Sequence, residues 1–352
     1  MPRDWFRAVA VPLLNLTYRT GGYRALGTVY AGCGVIFSLH RVVAPNYPSL
    51  HPAHLLHSDL LDDILGAVRG LGWDIVSIEE VRDRLMSGKS VNYLRNRRFV
   101  CFTLDDGYAD TLTVALPIFR KYHAPICVYV TTGIVERSIF YWWGANQELI
   151  LKSERVELPS LEGFGSTMLY GRTLQEKQAA YLALDSQCHR WGDRLIPVLR
   201  ELYSRNGVNP RQCLDRDALS VPQLRHLATD PLVTVGSHCV THQRLSLMAD
   251  DELSYEVQEG RRKLEGWVGL EVSHLAYPFG LSDACGEREF ETARQAGFQT
   301  AVTTRPGNVF PQHRDYLHCL PRRSIPMSGF ALRNALFGVA TILRNDSRVQ
   351  LR

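Results

Sequence analysis

None of the eight cysteines forms a Cys-x-x-Cys pair, which removes zinc ribbons and thioredoxin-type redox motifs. Cys33, Cys101, Cys127, Cys188, Cys213, Cys239, Cys285 and Cys319 are scattered, and Cys101 and Cys127 fall inside apolar, strand-like runs. Reduced thiols and a cytoplasmic location are therefore expected, rather than a disulfide framework. No apolar run is long enough to span a bilayer. The nearest, Ala8 to Leu16, is cut by Pro12 and is followed by no small-x-small cleavage site, so it reads poorly as a signal peptide. Trp5, Phe6, Val9, Leu13, Leu14 and Leu16 suit one face of an amphipathic helix packed on the protein body, with peripheral membrane contact as the alternative. Excess charge is also missing: the net charge is +4 over 352 residues. Arg95, Arg97 and Arg98 come nearest to a basic run and read as a solvated face, so no nucleic-acid partner is expected. Internal repeats and low-complexity segments are absent.

What is present is an alternation of strands and helices. Gly34–Leu39, Asp74–Ile78, Phe99–Leu104, Ile126–Thr131, Leu232–Val235, His274–Tyr277, Phe298–Thr303 and Leu320–Ile325 read as buried strands. Helical periodicity separates most of them, as at Asp59–Leu71, Leu112–Tyr122, Asp250–Glu265 and Glu287–Ala296. This is βαβ spacing, which implies a parallel sheet. Between 136 and 219 no strand is evident, and helical patterns at Ala145–Lys152, Leu174–Cys188 and Trp191–Arg205 mark a mostly helical insertion. The expected organisation is an N-terminal helical segment (1–33), a barrel (34–328) carrying that insertion, and a C-terminal helical tail (329–352).

Two strand ends carry chemistry. Phe99–Leu104 runs into Asp105, Asp106 and Gly107. Adjacent carboxylates repel unless one is protonated or a cation lies between them, although Asp-Asp-Gly is also ordinary turn chemistry. The strand at Leu232–Val235 leads to His238 and His242, two imidazoles that share a face if the segment is helical. In a parallel barrel both strand ends meet at one rim. Asp106, His238 and His242 then make a two-histidine, one-carboxylate set for a divalent ion. Such an ion lowers the pKa of water and polarises a carbonyl, and Asp105 is left free to act as a base. His40, at the end of the first strand, reaches the same rim, where it serves either as a site residue or as a packed core histidine. Trp142 and Trp143 open the insertion beside it, one expected in the core and one in the cleft.

Thr103-Leu104-Asp105-Asp106-Gly107 resembles the Thr-Phe-Asp-Asp-Gly signature of polysaccharide deacetylases, the NodB-homology or carbohydrate esterase family 4 enzymes. Ser237–His242 resembles their second motif with one extra residue between the histidines. Tyr277-Pro278-Phe279-Gly280 resembles the third, Arg-x-Pro-Tyr-Gly. His40-Arg41-Val42 resembles the Tyr-His-x-Val start of a polysaccharide-biosynthesis branch. The resemblance covers about Val35 to Ile325. It implies a distorted (β/α)7 barrel, with Asp105 as general base and Asp106, His238 and His242 as ligands of one divalent metal ion, zinc first and cobalt, nickel or manganese as alternatives. It further implies the backbone N–H at Phe279 as an oxyanion donor, and Tyr277, Pro278 and Trp143 at the substrate.

Three places depart from the family pattern. Ala276 stands where the third motif has an Arg, Thr303–Gly307 offers no Asp of a fourth motif, and His318 is wrongly spaced for the general acid of a fifth. The third-motif Arg, which in the family tunes the base, and the fourth-motif Asp it pairs with are thus both absent, which leaves neither charge buried without the other. The function this implies is removal of N-acetyl groups from amino sugars of a polysaccharide, an oligosaccharide or a lipid-linked glycan precursor. The alternatives are O-deacetylation, hydrolysis of a non-sugar amide, or a catalytically silent glycan-binding role.

Overall fold

The computed structural model describes residue 16, residues 20–51, 54–158 and 167–339, and residue 341. The expected N-terminal amphipathic helix lies outside these residues apart from Leu16, as does most of the tail beyond 339.

Twelve strands form in chain order: β1 (Gly34–Leu39), β2 (Arg41–Val43), β3 (Leu55–His57), β4 (Asp74–Ile75), β5 (Phe99–Leu104), β6 (Ile126–Val130), β7 (Arg155–Leu158), β8 (Thr167–Tyr170), β9 (Val233–Ser237), β10 (His274–Ala276), β11 (Thr300–Pro306) and β12 (Leu320–Ser324). Seven of them close a parallel ring in the order β1, β12, β11, β10, β9, β6, β5 and back to β1. The fold is a (β/α)7 barrel. β4 stays outside the ring because it pairs only with the first two residues of β5, whereas β6 takes the last three.

Alternation along the strands explains how the barrel fills. Ile36, Cys101, Cys127, Tyr129, Ala276, Val302 and Leu320 share one buried cluster with Ile78, Val81 and Leu85. The helix Ile78–Met86, which carries those last three residues, therefore closes one end of the barrel interior. Their strand neighbours Val35, Phe37, Val100, Phe102, Val128 and Leu275 belong to a larger cluster with the surrounding helices. Both strand faces are apolar, as a sheet covered on both sides requires. The interior also needs a gap at Gly236, where an added Cβ would lie 2.4 Å from the Tyr129 ring.

The insertion between β6 and β9 differs from its expected form. It contains an antiparallel hairpin, β7 with β8, where the sequence suggests a loop. It also has helices at Trp142–Lys152, Leu174–Trp191, Ile196–Arg205, Pro210–Asp217 and Val221–Ala228. Leu149, Tyr181, Leu184, Leu199, Leu202 and Tyr203 give it a hydrophobic cluster of its own. Its far end is sewn back onto the loop after β5: Leu219 N–H donates to Gly107 O at 3.0 Å, and Tyr108 bridges Ala218.

Candidate active site

β5 delivers two buried carboxylates in different directions. Asp105 continues the strand, its N–H donating to Leu39 O at 2.9 Å. Asp106 then turns into the left-handed region at φ 79°, followed by Gly107 at φ 96°. One carboxylate thereby points back into the barrel and the other across its mouth. The segment after β9 is a turn and not the helix on which a shared His face would rest: Cys239 and His242 have φ of 61° and 58°. It nonetheless places His238 Nε2 3.5 Å and His242 Nε2 3.3 Å from Asp106 Oδ1.

These three residues fit a divalent ion. Asp106 Oδ1 is buried and accepts no hydrogen bond from the protein. One ligand atom from each residue lies within 4.8 Å of the others. His238 Nδ1 is 2.7 Å from Ala276 O, which makes Nδ1 the donor and frees the Nε2 lone pair. Burial lowers His238 to about 4, despite the nearby Asp105 charge, so the ring is neutral as a ligand must be. Burial would raise Asp106, but His242, His40 and His238 outweigh it and hold the group well below the usual carboxylate range.

Asp105 has a partner that the sequence reading does not supply. Arg322, from β12, is fully buried and holds both carboxylate oxygens, each at 2.7 Å. The same guanidinium donates to Thr103 Oγ1 and Thr303 O at 2.9 Å. Burial would raise Asp105, but Arg322 reverses the sign and keeps it below its ordinary value, ionised and fixed in orientation. Ala276 leaves the third-motif place without an Arg, and a guanidinium from β12 reaches Asp105 instead. The signal was available: Leu320, Arg322 and Ser324 alternate along one strand face, and an inward Arg demands a carboxylate.

His40 lines the cavity over the acid pair, which measures about 370 Å³. Its Nδ1 is buried without a hydrogen bond, and its ring lies 4.5 Å from His54, which stacks at 3.8 Å on His51. His51 and His54 reach the same cavity unheralded by any motif. Phe279 sits at φ 61° beside His242, ring centroids 5.1 Å apart, and its N–H donates to no group among the described residues. Trp142 and Trp143 both line the cavity, against the expected split between core and cleft. Trp143 Nε1 donates to Tyr108 Oη at 2.7 Å. From the insertion helix Leu174–Trp191, Asp185 and His189, paired at 3.3 Å, also line the cavity.

Tyr277 lines the cavity over the acid pair. The Tyr277 ring turns outward onto Phe290, and its hydroxyl donates to His318 O at 2.8 Å. Pro278 is buried and is not part of the cavity wall. The Tyr277 orientation follows from alternation, since Ala276 faces the barrel interior and Tyr277 the outer cluster. His318 is bound to Phe298 O at 2.8 Å, away from the acid pair.

A family model described as polysaccharide deacetylase matches residues 173–301, a span that holds His238, His242 and Tyr277–Gly280. Over that span the chain is similar to polysaccharide deacetylases. The family so matched is one of hydrolases that act on the amide bonds of acetylated polysaccharides. No curated protein sequence matches it. Among solved structures, a Streptococcus pyogenes deacetylase is similar at TM-score 0.53 and 19% identity, over 83% of this chain and 92% of that one. A de-N-acetylase from Aggregatibacter actinomycetemcomitans gives 0.53 and 14%, over 86% and 99%. The IcaB protein of Ammonifex degensii gives 0.53 and 16%, over 87% and 97%. At these identities the likeness is one of fold.

Proposed function

We propose that this protein is a metal-dependent N-deacetylase acting on an amino sugar of a glycan or of a lipid-linked glycan precursor. One observation carries the reading: an unsatisfied Asp106 oxygen faces two histidine nitrogens, beside a second carboxylate held ionised by Arg322. Asp106, His238 and His242 would hold a divalent ion, zinc by preference of the donor set, with cobalt, nickel or manganese as alternatives. When bound, the ion supplies Lewis-acid charge for the amide carbonyl and for the attacking water. Asp105 takes the proton from that water as it attacks. The Phe279 N–H donates to the oxygen on which negative charge develops. His40 gives a proton to the departing amine. Trp142 and Trp143 offer ring faces to the sugar.

Metal analysis of the purified protein, with Asp105→Asn and His238→Ala alongside, tests this. One equivalent of metal is expected in the wild type and in Asp105→Asn, and none in His238→Ala. Turnover of an N-acetylated oligosaccharide should fall by roughly 10²–10⁴ in Asp105→Asn. Full activity of Asp105→Asn would remove the base assignment. A wild type that holds no metal after zinc is added would remove the metal. Faster release of acetate from an O-acetyl ester would reassign the bond cleaved.

A further inference from the structure

A second cavity lies against the first. It measures about 540 Å³ and shares Trp142, His189, Phe279 and His242 with the cavity over the acid pair. These four rings form a continuous wall, with centroids 5.3 Å apart for Trp142 and His189, 5.4 Å for His189 and Phe279, and 5.1 Å for Phe279 and His242. On its outer side the charge is lopsided. Arg190, Arg194 and Arg244 line the groove against one carboxylate, Glu252, whose Oε2 already accepts the Ala249 N–H at 3.1 Å.

The arginines are arranged rather than scattered. Arg244 lies over the Phe279 ring at 5.2 Å and is anchored by Asp283 at 2.7 Å. Arg190 lies over Trp191 at 6.0 Å. Arg194 has no ion-pair partner among the described residues and is exposed. Trp191 adds a partly exposed aromatic face beside the cations. A neutral oligosaccharide offers guanidinium groups only uncharged oxygens, whereas phosphates and carboxylates are what a planar fork of N–H donors matches best.

We infer that this groove is a subsite for an anionic group of the substrate, a phosphate or a carboxylate carried by the acetylated sugar or by the unit joined to it. The inference rests on the deacetylase reading and narrows its substrate. Two sources share that chemistry: a sugar linked through phosphate to a lipid carrier, and a uronic acid in an acidic glycan.

The test titrates the full-length protein, following tryptophan fluorescence, with N-acetylglucosamine 1-phosphate, with a disaccharide of N-acetylglucosamine and a uronic acid, and with neutral chitobiose. Amine release is assayed separately on each. At least one anionic probe should bind about tenfold more tightly than chitobiose, the worth of one good charge-assisted contact. The Arg190→Gln/Arg194→Gln double variant should lose that preference while binding chitobiose unchanged, and added salt should erode it. A tighter phosphate identifies the lipid-linked source, and a tighter uronate the acidic glycan. Equal binding of all three probes, or a preference that survives in the double variant, overturns the subsite. Chitobiose deacetylated without any anionic preference would sink the subsite and spare the reaction. Anionic preference with no amine from any probe would do the reverse.

Discussion

Arg322 carries the heaviest single load in the site. It and Asp105 are both almost fully excluded from solvent, so each is tolerable only because of the other. Arg322→Met should lower stability by about 3–5 kcal/mol, because a lone carboxylate remains in the barrel interior. Urea unfolding monitored by circular dichroism measures this. Arg322→Lys should recover only part of the loss, since an ammonium does not reproduce the two-pronged contact. A Met variant as stable as the wild type would show that Asp105 has another partner. Backbone strain gathers at the same place: Asp106, Cys239, His242 and Phe279 all have positive φ. Each costs about 1–2 kcal/mol for a residue with a side chain, a cost the surrounding fold offsets in order to aim these groups.

Among the elements, the helix Ile78–Met86 does more than close the barrel. Its Glu79 accepts from Thr234 Oγ1 at 2.7 Å on β9 and lies 3.4 Å from His274 Nε2 on β10. Partial burial would raise Glu79, but the bonds from His274 and Thr234 outweigh it and bring the carboxyl down to about 2. A depressed acid stabilises the fold above its unfolded pKa of about 4.3, and that contribution disappears as pH falls toward 2. Glu79→Gln should therefore unfold at lower urea than wild type at pH 6, with the gap narrowing at pH 4 and again at pH 3. A gap that stays constant with pH would exclude ionisation as its origin. This contact escapes sequence reading because Glu79, Thr234 and His274 share no local pattern. The ring strands were legible because both of their faces are apolar. The β7–β8 hairpin was not, since the alternation in Arg155-Val156-Glu157-Leu158 lasts only four residues. Pro210–Asp217 was equally obscure, with Arg211, Gln212, Asp215 and Arg216 filling most of its short length. The acid pair and the histidines announced themselves at strand ends. His51, His54 and Asp185 did not, because no motif marks them and only the fold carries them to the cavity, and the partner of Arg322 lies 217 residues away.

The molecule as a whole behaves as a barrel with a smaller body fastened to its mouth. Arg41 is a principal fastener: it bonds Asp110 at 2.7 Å beyond β5 and lies 3.4 Å from Asp217 at the end of the insertion. Asp217 is also reached by Tyr141 and Arg216. Arg41→Gln leaves Asp110 buried without its cation. Amide exchange should accelerate at 210–219 while β1 and β5 keep their protection, a pattern that mass spectrometry of peptic fragments resolves. Uniform acceleration across the barrel would mean that the two bodies unfold as one. The closure of the ring has a consequence in time. β1 finds one neighbour in β5 and the other in β12, and β12 also brings the guanidinium that Asp105 requires, 217 residues further along the chain. At roughly 5–20 residues per second on the ribosome, about 10–40 s of synthesis separate the two. Throughout that interval the nascent chain carries a finished acidic strand with neither its cation nor its barrel. Asp105 is thus among the earliest parts of the site to be made and the last to be put in working order.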